Sequence, residues 1–106
     1  MTLQTTEDRI LIDVTTEAQA AGIRGQVFLT AAALAAIRPN PVTLRNCIGD
    51  LEFFLGMTEY KLRQARKVRG TFTMQFHTVS DGERTALQAE CGAKVRGVRR
   101  IIVDAR

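Results

Sequence analysis

At Gly70 the hydrophobic period of this chain changes, and that change constrains the fold more than any other feature. Before it, Leu44, Cys47, Ile48, Leu51, Phe54, Leu55, Leu62 and Ala65 recur at three- and four-residue spacing, which places them on one face of a helix. After it, Phe72, Met74 and Phe76 alternate with Thr73, Gln75 and His77, the period-2 signature of a half-buried strand. A chain that passes from a long amphipathic helix into alternating strands must lay that helix on a sheet.

The rest of the chain fills in around this frame. Asp81-Gly82 is a hairpin signal, and Thr85, Leu87, Ala89 and Cys91 alternate with Ala86, Gln88 and Glu90 on the return strand. A turn from Gly92 to Gly97 leads into a third strand, Val98 to Val103. Near the N-terminus, Arg9 to Val14 reads as a further strand, expected to extend or flank this antiparallel meander. Thr16 opens a short helix by capping, with Glu17 beside its positive end and Gln19 at the capping-box position. Gly22 closes it. Val27-Phe28-Leu29 is a brief apolar run, and Thr30 caps a second short helix, Ala31 to Ile37. Arg38-Pro39-Asn40-Pro41 stops that helix, because proline donates no amide and forces its neighbour out of helical geometry. Gly56 with Thr58 offers a break in residues 43–69, so this segment reads as one long helix or two. The expectation is an α+β domain over residues 1–106. It has an antiparallel sheet of three to four strands, packed on one face against two short helices and one long, breakable helix.

Composition excludes several classes. A chain of 106 residues with 45% hydrophobic content can bury a core without disulfide or metal staples. No run approaches the roughly 20 apolar residues of a membrane span. The N-terminus lacks the basic and apolar regions of a signal peptide, so a cytoplasmic location is the expectation. Cys47 and Cys91 are isolated and read as small buried hydrophobes kept reduced. His77 with these two cysteines has no close-spaced pair to nucleate a zinc site, and nothing local supports a Cys–His nucleophile. The carboxylates Asp13, Glu17, Asp50, Glu52 and Glu59 are dispersed, and Gly22-Ile23-Arg24-Gly25 lacks the strand–glycine–helix context of a phosphate loop. No catalytic residue, cofactor or metal is expected, and the chain reads as non-enzymatic.

Charge is the one strong functional signal. Residues 1–60 carry four basic side chains against seven acidic ones, a net of −3, whereas residues 61–106 carry eleven against four, a net of +7. An asymmetry of this kind bears on partners and steering, not on fold. Lys61, Arg63, Arg66, Lys67 and Arg69 form one cluster at the end of the long helix. Lys94, Arg96, Arg99 and Arg100 form a second in the last turn and strand. Arginine predominates, and its planar fork suits phosphate. If the fold joins the clusters, they make a stripe able to track a phosphate backbone, with Arg24 as an outlying member. The bland reading of the same residues is a solvated helix end and a basic edge strand that resists edge pairing. Single-strand binders also need exposed aromatics; Phe72 and Phe76 read as core, which leaves Tyr60 and His77.

Residues 10–30 carry Asp13-Val14-Thr15, then Ala18, then Ala21-Gly22-Ile23-Arg24, then Val27-Phe28-Leu29-Thr30 stepping into a helix. A second patch is Thr85-Ala86-Leu87-Gln88-Ala89-Glu90-Cys91-Gly92. Together these resemble a family of small bacterial proteins of unknown function carried on plasmids, conjugative elements and phages, over about a third of the chain. The middle departs from that pattern, since the family's helix is tryptophan-rich and this one reads Leu51-Glu52-Phe53-Phe54-Leu55. The family has no assigned reaction, so the resemblance carries over no site residue. It implies a setting, that of a mobile-element accessory protein, and small proteins in that setting often block host machinery, including CRISPR–Cas complexes. The expected partner is therefore nucleic acid, single-stranded DNA or RNA included, or a nucleoprotein complex of a host defence. The alternatives are a module that blocks a host protein without touching nucleic acid, and a DNA-binding regulator. For the regulator, Thr16 to Ile37 imitates a helix-turn-helix with few polar reading residues.

Overall fold

A computed structural model describes residues 2–6, 9–37, 44–80 and 83–105. The element order is β1 (Thr2–Thr6), β2 (Arg9–Asp13), α1 (Thr15–Ala20), β3 (Gly25–Thr30), α2 (Ala31–Ile37), α3 (Leu44–Gln64), β4 (Phe72–Ser80), β5 (Glu83–Cys91) and β6 (Arg99–Ala105). The fold is α+β, with three helices among the described residues. Among the described residues six strands form one sheet in the order β1-β2-β3-β6-β5-β4.

That sheet is mixed, which corrects the antiparallel expectation. Strands β4, β5 and β6 form the expected antiparallel meander, with Phe72 opposite Cys91 and Ala89 opposite Val103. The N-terminal strand does not join it directly. Strand β3 intervenes, antiparallel to β2 but parallel to β6, with Val27 opposite Ile101 and Leu29 opposite Val103. The sequence hid β3 because Val27, Phe28, Leu29 and Thr30 are all buried, and a strand covered on both faces loses its alternation. Strand β1, which pairs with β2, has no apolar alternation to announce it. The Asp81-Gly82 turn and the Arg38-Pro39-Asn40-Pro41 stop lie outside the described residues.

Helix α2 occupies the expected span, and Thr30 caps it: its hydroxyl accepts from the Ala33 amide (3.1 Å) and donates to Asp104 on β6 (2.7 Å). Helix α1 begins two residues earlier than expected: Val14, not Thr16, is its N-cap residue, and it makes no side-chain cap bond. Asp13 Oδ1 accepts from the Thr15 amide at 2.8 Å, while the Thr15 hydroxyl accepts from Val27 N–H of β3 at 3.1 Å. The helix closes at Gly22 (φ +93°). There the Ile23 amide bonds Ala18 O (2.9 Å) and the Gly22 amide bonds Gln19 O (3.0 Å), a Schellman arrangement that needs a left-handed residue at that point. Helix α3 is continuous. Gly56 faces solvent, and Thr58, fully buried, satisfies its hydroxyl by donating to Phe54 O at 2.9 Å. The helix ends at Gln64 and passes into turns over residues 65–67.

All three helices cover one sheet face, as expected. Val27, Leu29, Leu87, Ala89, Ile101 and Val103 from the strands pack with Ala18, Ala33, Ile37, Leu51, Phe54 and Leu55 from the helices. The Phe54 ring meets Phe76 at 5.0 Å between centroids, tilted by 58°. Truncating a buried phenylalanine of this kind costs about 3–5 kcal/mol. The opposite face leaves Thr73, Gln75, His77, Glu90 and Arg100 in water.

Candidate nucleic-acid interface

The site lies where the end of α3 meets the turn before β6. Past Gln64 the chain unwinds through turns, leaving carbonyl oxygens without helical partners. Lys94 takes two of them: its amide bonds Arg69 O at 3.0 Å and its ammonium bonds Arg66 O at 2.7 Å. Arg99 takes more. One guanidinium nitrogen donates to Gly70 O (2.9 Å) and Gly92 O (2.7 Å), another donates to Val68 O, and the Phe72 ring lies 4.6 Å below. Cations at a helix C-terminus are stabilised by the negative end of its dipole. The same contacts stitch the two basic clusters of the sequence together. Gly25 makes room for this arrangement, since a Cβ there would lie 2.2 Å from the Arg99 carbonyl oxygen.

The result is a cleft of about 690 Å³ lined by Arg66, Lys67, Arg69, Lys94, Arg96 and Gly97. Five cations line it and no carboxylate does. A second cleft of about 390 Å³ shares Arg66, Lys94 and Gly97 and adds Arg24, Glu59 and Arg63, so the outlying Arg24 adjoins the site. Arg63 forms a two-pronged pair with Glu59 (2.8 and 2.6 Å). That hydrogen bond holds the Glu59 carboxyl below its ordinary value and raises the Arg63 guanidinium.

Of the nine basic residues expected to contact phosphate, Lys61 and Arg100 line neither cleft, and Arg99 reaches only the second. Arg99 is 5% exposed and committed to carbonyls, a structural bolt and not a surface group. Sequence parity contained that signal: Arg99 shares a strand face with Ile101 and Val103, both fully buried. Arg100 takes the opposite face, with its guanidinium 5.0 Å from the Phe28 ring. Lys61 donates to Gln75 O at 2.9 Å and lies over the Phe76 ring at 4.8 Å. Strand β4 is a sheet edge, so Lys61 blocks an outward carbonyl where another chain could pair.

Two features of the site were not expected from sequence. The valines Val68, Val95 and Val98, interspersed in sequence with the cleft's cations, are exposed. Arg96 has a left-handed backbone (φ 55°) beside Gly97 (φ 78°). Elsewhere, Cys91 is buried, and desolvation pushes its thiol up to about 11 against the pull of the Arg99 charge. The side chain of Cys47 lies outside the described residues. Among the described residues no cluster of His, Cys, Asp and Glu could hold a metal ion, and no helix is long and apolar enough to cross a membrane. No family model matches the chain, and no curated protein or solved structure matches it either.

Proposed function

We propose that this protein is a non-enzymatic binder of nucleic acid, free or within a nucleoprotein complex, and that the 690 Å³ basic cleft is its binding surface. The observation that carries the reading is the convergence of Arg66, Lys67, Arg69, Lys94 and Arg96 with no carboxylate in the lining. Five like charges held together repel one another, and a polyanion relieves that repulsion while releasing its own counterions. Arg63, by contrast, is neutralised locally by Glu59, so the unpaired charge is concentrated in the cleft. The setting implied by the two sequence patches makes inhibition of a host defence, such as a CRISPR–Cas complex, the biological use we propose for this surface.

The test is fluorescence anisotropy with labelled single- and double-stranded DNA and RNA. Five phosphate charges neutralised on a duplex give a log–log salt slope of about −4.5, a loss of roughly 500-fold between 50 and 200 mM salt. Retention of no nucleic acid at 50 mM salt would contradict the proposal and favour a target that is protein alone.

A further inference from the structure

We propose that the two-residue hairpin at Val95 to Val98 is a finger that places Arg96 in the minor groove of duplex DNA, while Arg66, Lys67 and Arg69 hold the flanking phosphates. The inference rests on the nucleic-acid reading above and specifies its substrate.

The hairpin closes through reciprocal bonds, Val95 N–H to Val98 O at 2.9 Å and Val98 N–H to Val95 O at 3.0 Å. Both central residues have positive φ, 55° at Arg96 and 78° at Gly97, which is a type I′ turn. Its first central position favours Gly, which has no Cβ to crowd the following carbonyl, and Asn or Asp, whose short side chains offset that crowding by hydrogen-bonding locally. Arginine is therefore held at the tip against its own backbone preference. Such outliers cluster where a side chain is needed for binding. The tip is open to solvent where Arg96 and Gly97 line the basic cleft: Val95 is 69% exposed, and a Cβ at Gly97 would meet nothing within 4 Å.

The choice of duplex follows from what surrounds the finger. A single-strand binder stacks bases on exposed aromatics. Here Phe28, Phe54 and Phe76 are buried and Phe72 lies half-buried beneath Arg99. Among the described side chains the exposed aromatic rings are Tyr60 and His77, and neither lines the basic cleft. A B-form minor groove about 6 Å wide admits a single extended arginine. Where that groove narrows over A·T tracts its negative potential deepens and draws arginine in. The exposed valines Val95 and Val98 suit the sugar walls on either side. The minor groove of duplex RNA is wide and shallow and offers no such slot.

The experiment compares wild type, Arg96→Gly and Lys67→Gln on four probes: an A-tract DNA duplex, a G·C-rich duplex of equal length, the A-tract single strand and an RNA duplex. Wild type should prefer the A-tract duplex over the G·C duplex by about tenfold. Arg96→Gly should abolish that preference while raising the melting temperature by a few degrees, because glycine relaxes the turn. Lys67→Gln should weaken both duplexes equally and leave the preference intact. Duplex binding with no A-tract preference, an unchanged preference in Arg96→Gly, or tighter binding to the single strand or the RNA duplex would overturn the finger while sparing the basic cleft. Failure of wild type to bind any probe would overturn both.

Discussion

Replacing Arg99 separates the two roles that a basic side chain in this region can have. Its guanidinium donates to the carbonyls of Val68, Gly70 and Gly92 and lies on the Phe72 ring, and the residue is 5% exposed. Hydrogen bonds from a charged donor contribute about 1.5–3 kcal/mol each, and the cation–π contact adds about 1 kcal/mol. Val68 and Gly70 are exposed, so water can replace the donors there once Arg99 is gone. The Gly92 carbonyl and the Phe72 ring are less accessible to water, which leaves a net cost of about 3 kcal/mol for Arg99→Met. For a domain of this size that lowers the melting temperature by roughly 12–20 °C. Thermal and urea unfolding followed by circular dichroism read this directly. The salt slope of binding, measured below the transition, should be almost unchanged because no phosphate contact has been removed. A melting temperature within 2 °C of wild type, together with a slope reduced by about one contact, would refute the structural assignment.

Other perturbations probe the surroundings. Lys61→Ala should leave DNA affinity within about twofold but expose the β4 edge at Gln75, so self-association in light scattering should rise. Glu59→Gln frees Arg63 beside the cleft and should strengthen duplex binding by about two- to threefold at 50 mM salt, with the gain fading at higher salt. Cys91 should resist thiol reagents at pH 8 in the folded protein and react on unfolding in urea. Because its folded value is raised, the neutral thiol's contribution is present in full below pH 9.0 and is lost as pH rises towards about 11. Urea midpoints measured across that window should fall as pH increases, by an amount equivalent to about 2 kcal/mol.

Much of the fold was legible because one covered face imposes a period. Phe72, Met74 and Phe76 on β4, with Leu87, Ala89 and Cys91 on β5, show the alternation their burial requires. The alanines of α2, between the Thr30 cap and its stop, left no ambiguity either. Strand β3 was illegible for the opposite reason: with both faces covered, Val27 to Thr30 show no period, and its parallel pairing with β6 joins segments some 70 residues apart. The break suggested by Gly56 and Thr58 does not occur, since Thr58 satisfies its hydroxyl within its own helix. At the site, sequence identified the basic clusters but not which of their members face solvent. Residue type was the same for Arg66, Arg99 and Arg100. Strand parity separates the last two, whereas the union of the clusters depends on carbonyls that Lys94 and Arg99 bind only in the folded chain.

The central claim is that Arg66, Lys67, Arg69, Lys94 and Arg96 act together as one cationic surface on nucleic acid, and the salt dependence of duplex binding tests it most directly. Wild type should show a log–log slope of about −4.5, and Arg66→Gln combined with Arg69→Gln should reduce it to about −2.7. A wild-type affinity that does not change with salt, or a double variant with the wild-type slope, would contradict the account.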